Sequence, residues 1–291
     1  MKLALVRFLV PTVKKIIKQY RSKGVSSKRG IREFGSRNEF AKHEAKLVVE
    51  SMFGAAFGEK SGGVTPLFEP YIASFCSHIE DDEYVRENGL LSMWRGYGAE
   101  GGVALVFDTK ALSEYLEREQ EEFWYSFGTF GDVVYEGDQK SFDCEFSDFL
   151  DLVPGVLNAV LHPEQFDINE NFLNHFLRSI TRFKHRAFSE EREVRIVAIP
   201  WTQRSFESEA KTPTVNIAER KKKKLRWRTR DGEKIRYLSL FDGESVSHLP
   251  IVKIIIGPHR DQQGRRKEIM RTVGRRHDIE IRSSETPYIN F

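Results

Sequence analysis

Glu191, Glu193 and Arg195 are the residues of this chain whose types and spacing first suggest chemistry. They lie in Phe183-Lys184-His185-Arg186-Ala187-Phe188-Ser189-Glu190-Glu191-Arg192-Glu193-Val194-Arg195-Ile196-Val197-Ala198-Ile199, which begins as a basic, aromatic turn and ends as an apolar strand. Side chains alternate along an extended chain. The spacing therefore predicts Glu191, Glu193 and Arg195 on one face and Arg192, Val194, Ile196 and Ala198 on the other. Charges brought against a core cost desolvation unless their hydrogen bonds are complete. Such a cluster is either a structural ion-pair network or a site, since perturbed charges mark sites only as a tendency.

A second candidate is Met93-Trp94-Arg95-Gly96-Tyr97-Gly98, followed by Gly101-Gly102 and the apolar run Val103-Ala104-Leu105-Val106-Phe107. Trp94 and Tyr97 offer flat apolar faces with polar handles. Arg95 offers a planar fork that suits phosphate or carboxylate. No Gly-Lys-Ser/Thr closes this loop, so it is not a Walker phosphate loop. It precedes a strand and not a helix, so it is not a dinucleotide fingerprint either. A tight structural loop around a buried tryptophan is the competing reading. His162 and His175 have no second ligand at metal spacing. Cys76 and Cys144 form no CxxC. No metal site is expected.

A third candidate is basic. Lys221-Lys222-Lys223-Lys224 runs into Leu225-Arg226-Trp227-Arg228-Thr229-Arg230, then Asp231-Gly232, then Glu233-Lys234-Ile235-Arg236-Tyr237-Leu238. Two alternating runs around Asp-Gly predict a β-hairpin. Basic residues interleaved with an aromatic can bind a phosphate backbone, with Lys223, Lys224, Arg226 and Arg228 as the contacts. The same residues also suit a solvated edge strand that resists aggregation.

The elements that must position these groups follow from periodicity. The spacing predicts helices over 3–20, 38–57, 109–122, 142–161, 172–183 and 261–273, and strands near 71, 103, 133, 194, 225, 235, 252 and 279. Ser36 or Asn38 would cap the second helix, and Asp108 or Thr109 the third. The glycine at 24, the loop over 22–30 and the connector over 58–66 would separate the first elements. Strand, helix and strand at the end suggest a βαβ-like unit. The fold class is α+β, with a central mixed, mostly antiparallel sheet packed by helices. A basic amphipathic helix and loop over 1–30 would precede a single domain over 31–291; that helix carries Lys14, Lys15 and Lys18 on one face and could dock on a partner.

Hydrophobic residues at 40% and charged residues at 31% can build a core. The net charge of +3 excludes a global basic field. The apolar start, Leu3 to Val10, is broken by Arg7, far short of the roughly 20 residues a membrane-spanning helix needs. No cleavage site follows it. The cysteine usage makes a reduced, cytoplasmic location the expectation.

Several of these stretches together resemble a known family. Ser74-Phe75-Cys76-Ser77, Leu91 to Gly98 and Gly102 to Asp108 are similar to the bacterial domain-of-unknown-function family 2971. Lys184 to Phe188 with Glu191, Glu193 and Arg195, then Ile254-Ile255-Ile256-Gly257-Pro258, then Arg282 to Tyr288, look like its later signatures. Members usually open with a His-Tyr-Thr strand, a short helix and an Asn-Asp-Pro turn, which resembles the start of ADP-ribosyltransferase-like folds. This chain has no His-Tyr-Thr, and Arg37-Asn38-Glu39-Phe40 is at best a remnant of the turn. The resemblance implies a divergent ADP-ribosyltransferase-like core and an NAD-using transferase or glycohydrolase, of the kind found in toxins or phage defence. Glu193 or Glu191 would then be the catalytic carboxylate. Arg95 would hold the pyrophosphate, Trp94 or Tyr97 would stack on a ring, and Lys184, His185 and Arg195 would line the site. The alternatives are a nucleic-acid-binding module and a non-catalytic interaction protein.

Overall fold

A computed structural model of the chain describes residues 2–22, 33–57, 69–77, 82–98, 101–161, 170–200, 220–243, 248–274 and 278–287. The glycine at 24, the loop through residue 30, the connector over 58–66, His162 and Tyr288 lie outside the described residues. In chain order the elements are α1 (Lys2–Ser22), α2 (Arg37–Phe57), β1 (Tyr71–Cys76), α3 (Glu83–Asn88), α4 (Leu91–Tyr97), β2 (Val103–Phe107) and α5 (Thr109–Glu122). There follow β3 (Tyr125–Asp132), β4 (Val134–Tyr135), α6 (Gln139–Glu145), α7 (Ser147–Leu161), α8 (Glu170–Thr181), β5 (Phe183–Lys184), a 3₁₀ turn (Arg186–Glu191) and β6 (Glu193–Pro200). The last are β7 (Leu225–Arg230), β8 (Glu233–Leu238), β9 (Ile251–Ile256), α9 (Gln262–Val273) and β10 (Glu280–Ser283).

The fold is α+β, with mostly antiparallel strand pairs packed by helices. Its strands are shared among two three-stranded and two two-stranded sheets among the described residues. The chain forms two compact units, each built from two separated stretches: Met1–Phe75 with Tyr125–Asn216, and Cys76–Trp124 with Ile217–Phe291.

The first unit holds a helical core. Leu5, Phe8, Leu9, Val13, Ile16 and Ile17 of α1 are buried with Ala41, Ala45, Val48, Val49 and Met52 of α2. The apolar stripe of α1 is thus covered within its own unit, while Lys15 and Lys18 are exposed. The helix passes through Pro11, whose missing amide normally breaks a helix; burial of the stripe on both sides of it holds the helix together. Ser36 caps α2, its Oγ accepting the amide of Glu39 at 3.1 Å. Four phenylalanines form the centre. Phe8 stacks on Phe142 at 4.4 Å between ring centroids and meets Phe183 edge-on at 5.1 Å. Phe146 meets Phe142 edge-on at 5.1 Å.

The helix expected over 142–161 is two helices, and the break is at Phe146. That residue leaves helical geometry (φ −122°, ψ 28°) and is buried beside Phe142. The helix expected to reach Phe183 ends at Thr181, and Phe183 starts β5. Strand β3 is longer than the short strand expected near 131–135. It pairs antiparallel with β6 from Phe127↔Ile199 to Asp132↔Val194. Gly128 and Gly131 hide the alternation that would mark it. A Cβ at Gly131 would lie 2.8 Å from the guanidinium carbon of Arg182, which would have to shift to admit it.

In the second unit β9 and β10 run parallel with α9 between them, so the closing βαβ expectation is met; β2 pairs antiparallel on the other edge of β9. Asp108 caps α5 and Asp261 caps α9 through their carboxylates. Strands β7 and β8 pair with each other alone among the described strands.

Phe142 is fully buried at the meeting point of three aromatic rings. Phe142→Ala is therefore expected to cost about 3–5 kcal/mol of stability, measured as a lower urea midpoint with the slope retained. An unchanged midpoint would contradict this packing.

Candidate functional site

The acidic cluster belongs to the first unit. Glu193 opens β6 and its side chain is 3% exposed. Arg195 reaches it with two donors, Nε to Oε1 at 2.8 Å and Nη2 to Oε2 at 3.1 Å. Lys184 Nζ lies 2.8 Å from Oε2. A hydrogen bond from Ser74 of β1 also reaches the carboxylate. The amide of Glu193 donates to the Tyr135 hydroxyl at 2.8 Å. Burial opposes ionisation here. The hydrogen bonds from Arg195, Lys184 and Ser74, with the Arg195 charge, outweigh it and hold the carboxyl at a pKa of about 2. Arg195 is itself spent, since Nη1 donates to the carbonyl of Thr181 at 2.6 Å. That carbonyl is one of the orphan acceptors at the end of α8.

Glu191 joins this cluster by a different route from the one its spacing predicts. Residues 186–191 form a 3₁₀ turn, and Arg192 is left-handed at φ 42°. The extended register begins only at Glu193. Glu191 is instead brought in by Lys184, whose Nζ donates to it at 2.6 Å. Burial would lower the Lys184 pKa, but the hydrogen bonds of Glu191 and Glu193 raise it above its ordinary value. His185 is exposed; its Nδ1 accepts the amide of Ala187 at 3.2 Å, and its Nε2 lies 3.4 Å from Glu136. Two glutamates, a lysine and an arginine therefore neutralise one another. Tyr135 and Ser74, which complete the network, carry no sequence signal for it. The catalytic expectation for Glu193 meets a physical obstacle: both carboxylate oxygens are held, and almost none of the group is open.

The Trp-Arg-Gly-Tyr element belongs to the second unit. Trp94 is 4% exposed, and its indole N–H donates to the carbonyl of Asn88 at 2.8 Å. A Cβ added at Gly89, Gly98 or Gly257 would come within 2.7–2.9 Å of the ring. The glycines exist to admit the indole, and the expectation that Trp94 stacks on a ligand gives way to packing. Tyr97 is 76% exposed, and Arg95 is also exposed.

The basic segment is also in the second unit. Strands β7 and β8 pair from Leu225↔Leu238 to Arg230↔Glu233. Asp231 and Gly232 turn between them at φ 52° and 81°, both left-handed as a two-residue hairpin turn requires. Of the four proposed phosphate contacts, Lys223 is withdrawn from solvent. Its side chain is 1% exposed, paired with Glu119 of α5 and with Asp242, and its ammonium lies 3.9 Å from the Phe123 ring centroid. Lys224, Arg226 and Arg228 are exposed. Arg226 reaches Asp242 at 2.8 Å, and Arg228 lies over Tyr237 at 6.0 Å.

Among the described residues no group of three His, Cys, Asp or Glu is placed to hold a metal ion, and no helix is long and apolar enough to cross a membrane. Residues 93–196 match the family model DUF2971, a protein family of unknown function. This stretch is similar to the DUF2971 family. No curated protein and no solved structure matches the chain. The DUF2971 match includes Trp94, Arg95, Tyr97 and the whole run from Lys184 to Arg195, and it ends before the basic hairpin.

The ion network gives a pH test. The folded pKa of Glu193, about 2, lies below its ordinary value of 4.5. Its contribution is thus present above about pH 4.5 and is lost as pH falls toward 2. Glu193→Gln is expected to cost about 3–5 kcal/mol near neutral pH, because Arg195 and Lys184 lose a buried partner. Urea midpoints of both proteins should converge as pH is lowered through that window. A constant gap between them would contradict the assignment.

Proposed function

We propose that this protein binds nucleic acid through the β7–β8 hairpin. The observation that carries the reading is an exposed ribbon of basic and aromatic residues. Every residue from Arg226 to Lys234 is exposed, and Trp227 is 62% exposed. Residues 220–238 hold ten lysines and arginines against two acids, in a chain whose net charge is only +3. A two-stranded hairpin alone is marginal in water, so this one needs an anchor at its base. Lys223 supplies it through Glu119, and the backbone of Lys221 pairs with Glu122 and Trp124 at 2.8 and 3.0 Å. A local basic surface of this kind gains affinity by releasing the counterions of a phosphate backbone.

The NAD-cleaving alternative needs a carboxylate free to face a sugar. The partners of Glu193, and Lys184 on Glu191, weigh against it.

The test is binding of the full chain to a fluorescein-labelled oligonucleotide at several salt concentrations. Affinity should fall steeply with salt, and Arg228→Ala/Arg230→Ala/Lys234→Ala/Arg236→Ala should reduce both affinity and salt slope. Salt-independent binding, or a variant that binds as the native chain does, would overturn the proposal.

A further inference from the structure

The two faces of the hairpin are chemically unequal. Directly paired residues share a face, so the register places Leu225, Trp227, Thr229, Lys234, Arg236 and Leu238 together. Arg226, Arg228, Arg230, Glu233, Ile235 and Tyr237 form the other face. The second face has more arginines, but it also has acids. Glu233 stands directly opposite Arg230, and Asp242 binds Arg226. A phosphate arriving there must displace or face a carboxylate. The first face has two cations, a hydroxyl and an open indole, and no acid among its six residues. Arg236 sits across from Trp227, its guanidinium 5.7 Å from the ring centroid, and Lys234 and Arg236 alternate along one strand, about 7 Å apart.

We infer that the ligand is single-stranded nucleic acid, held on the Trp227 face, with a base stacked on Trp227 and phosphates on Lys234 and Arg236. This rests on the nucleic-acid reading of the hairpin and narrows it. A flat exposed indole beside cations is a stacking platform, and every unpaired base has a face to lay on it. In a duplex those faces are already stacked on one another. A ribbon can also enter the major groove of a duplex, but it would read base edges with polar side chains. Arg226 and Arg230, which would do so here, are bound to Asp242 and paired across the strands with Glu233, respectively.

The experiment uses the full chain with three labelled probes of one sequence: a DNA strand, an RNA strand and the blunt DNA duplex. Tighter binding of either strand than of the duplex is expected. Trp227→Ala should weaken strand binding about 5- to 150-fold with the salt slope unchanged, while Trp227→Phe retains most of it. Lys234→Gln and Arg236→Gln should each lower the slope by about one, and Arg226→Gln should change affinity by less than about twofold. Trp227 is exposed, so its variants should keep the native urea midpoint, which controls for folding. Duplex binding as tight as strand binding, with Trp227→Ala neutral, would overturn the inference and leave the nucleic-acid reading standing. Binding to none of the probes would overturn both.

Discussion

A lysine ammonium buried between two carboxylates determines where the basic hairpin stands. Lys223 is held by Glu119 near the end of α5 and by Asp242 just beyond β8, against the face of Phe123. Removing an ammonium and a carboxylate from water is expensive, and their attraction offsets it only with complete hydrogen bonding. Completion is visible. The second oxygen of Glu119 accepts the amide of Phe241, and the second oxygen of Asp242 accepts from Arg226. Burial opposes ionisation of Asp242, but Lys223 and then Arg226 hold its pKa below the ordinary range. The interaction joins Lys223, two residues before β7, to residues following β8 and to a helix. It closes the open end of a ribbon that would otherwise be free to fray. Everything beyond that staple can remain exposed.

The first unit uses the same device for a different end. Arg195 ties the start of β6 to the last turn of α8, and Lys184 ties β5 to the 3₁₀ turn and to β6. Short strands of two residues cannot hold themselves in place. Here the fourfold charge cluster supplies what β4 and β5 lack in length. Its polar atoms are directed at one another, and this is why an acidic motif with the composition of a site behaves as a brace. The function therefore has to be sought where charge is left facing water.

Much of this was legible in the residues. Helices with a clean apolar stripe, the Asp-Gly hairpin and the Ser36 and Asp108 caps follow from local chemistry, and local chemistry is what a sequence displays. The α+β class followed from the same elements. What was not legible depends on distant partners. Nothing in Lys221 to Lys224 distinguishes the third lysine, because its partners Glu119 and Asp242 are 104 and 19 residues away. The burial of Trp94 depends on Gly257, far along the chain, as well as on Gly89 and Gly98. Glu191 falls out of the alternating register because Arg192 adopts a left-handed conformation, which no spacing rule announces. Strand β3 is carried by its partner β6, while its own glycines blur the pattern.

The most direct measurement is photo-crosslinking of the full chain to a single-stranded oligonucleotide carrying a photoreactive base, with the modified peptides read by mass spectrometry. The account predicts that the adduct falls within residues 225–238, on Trp227 or beside it. Adducts confined to the lysines of α1, or to the stretch from Lys184 to Arg195, would contradict it.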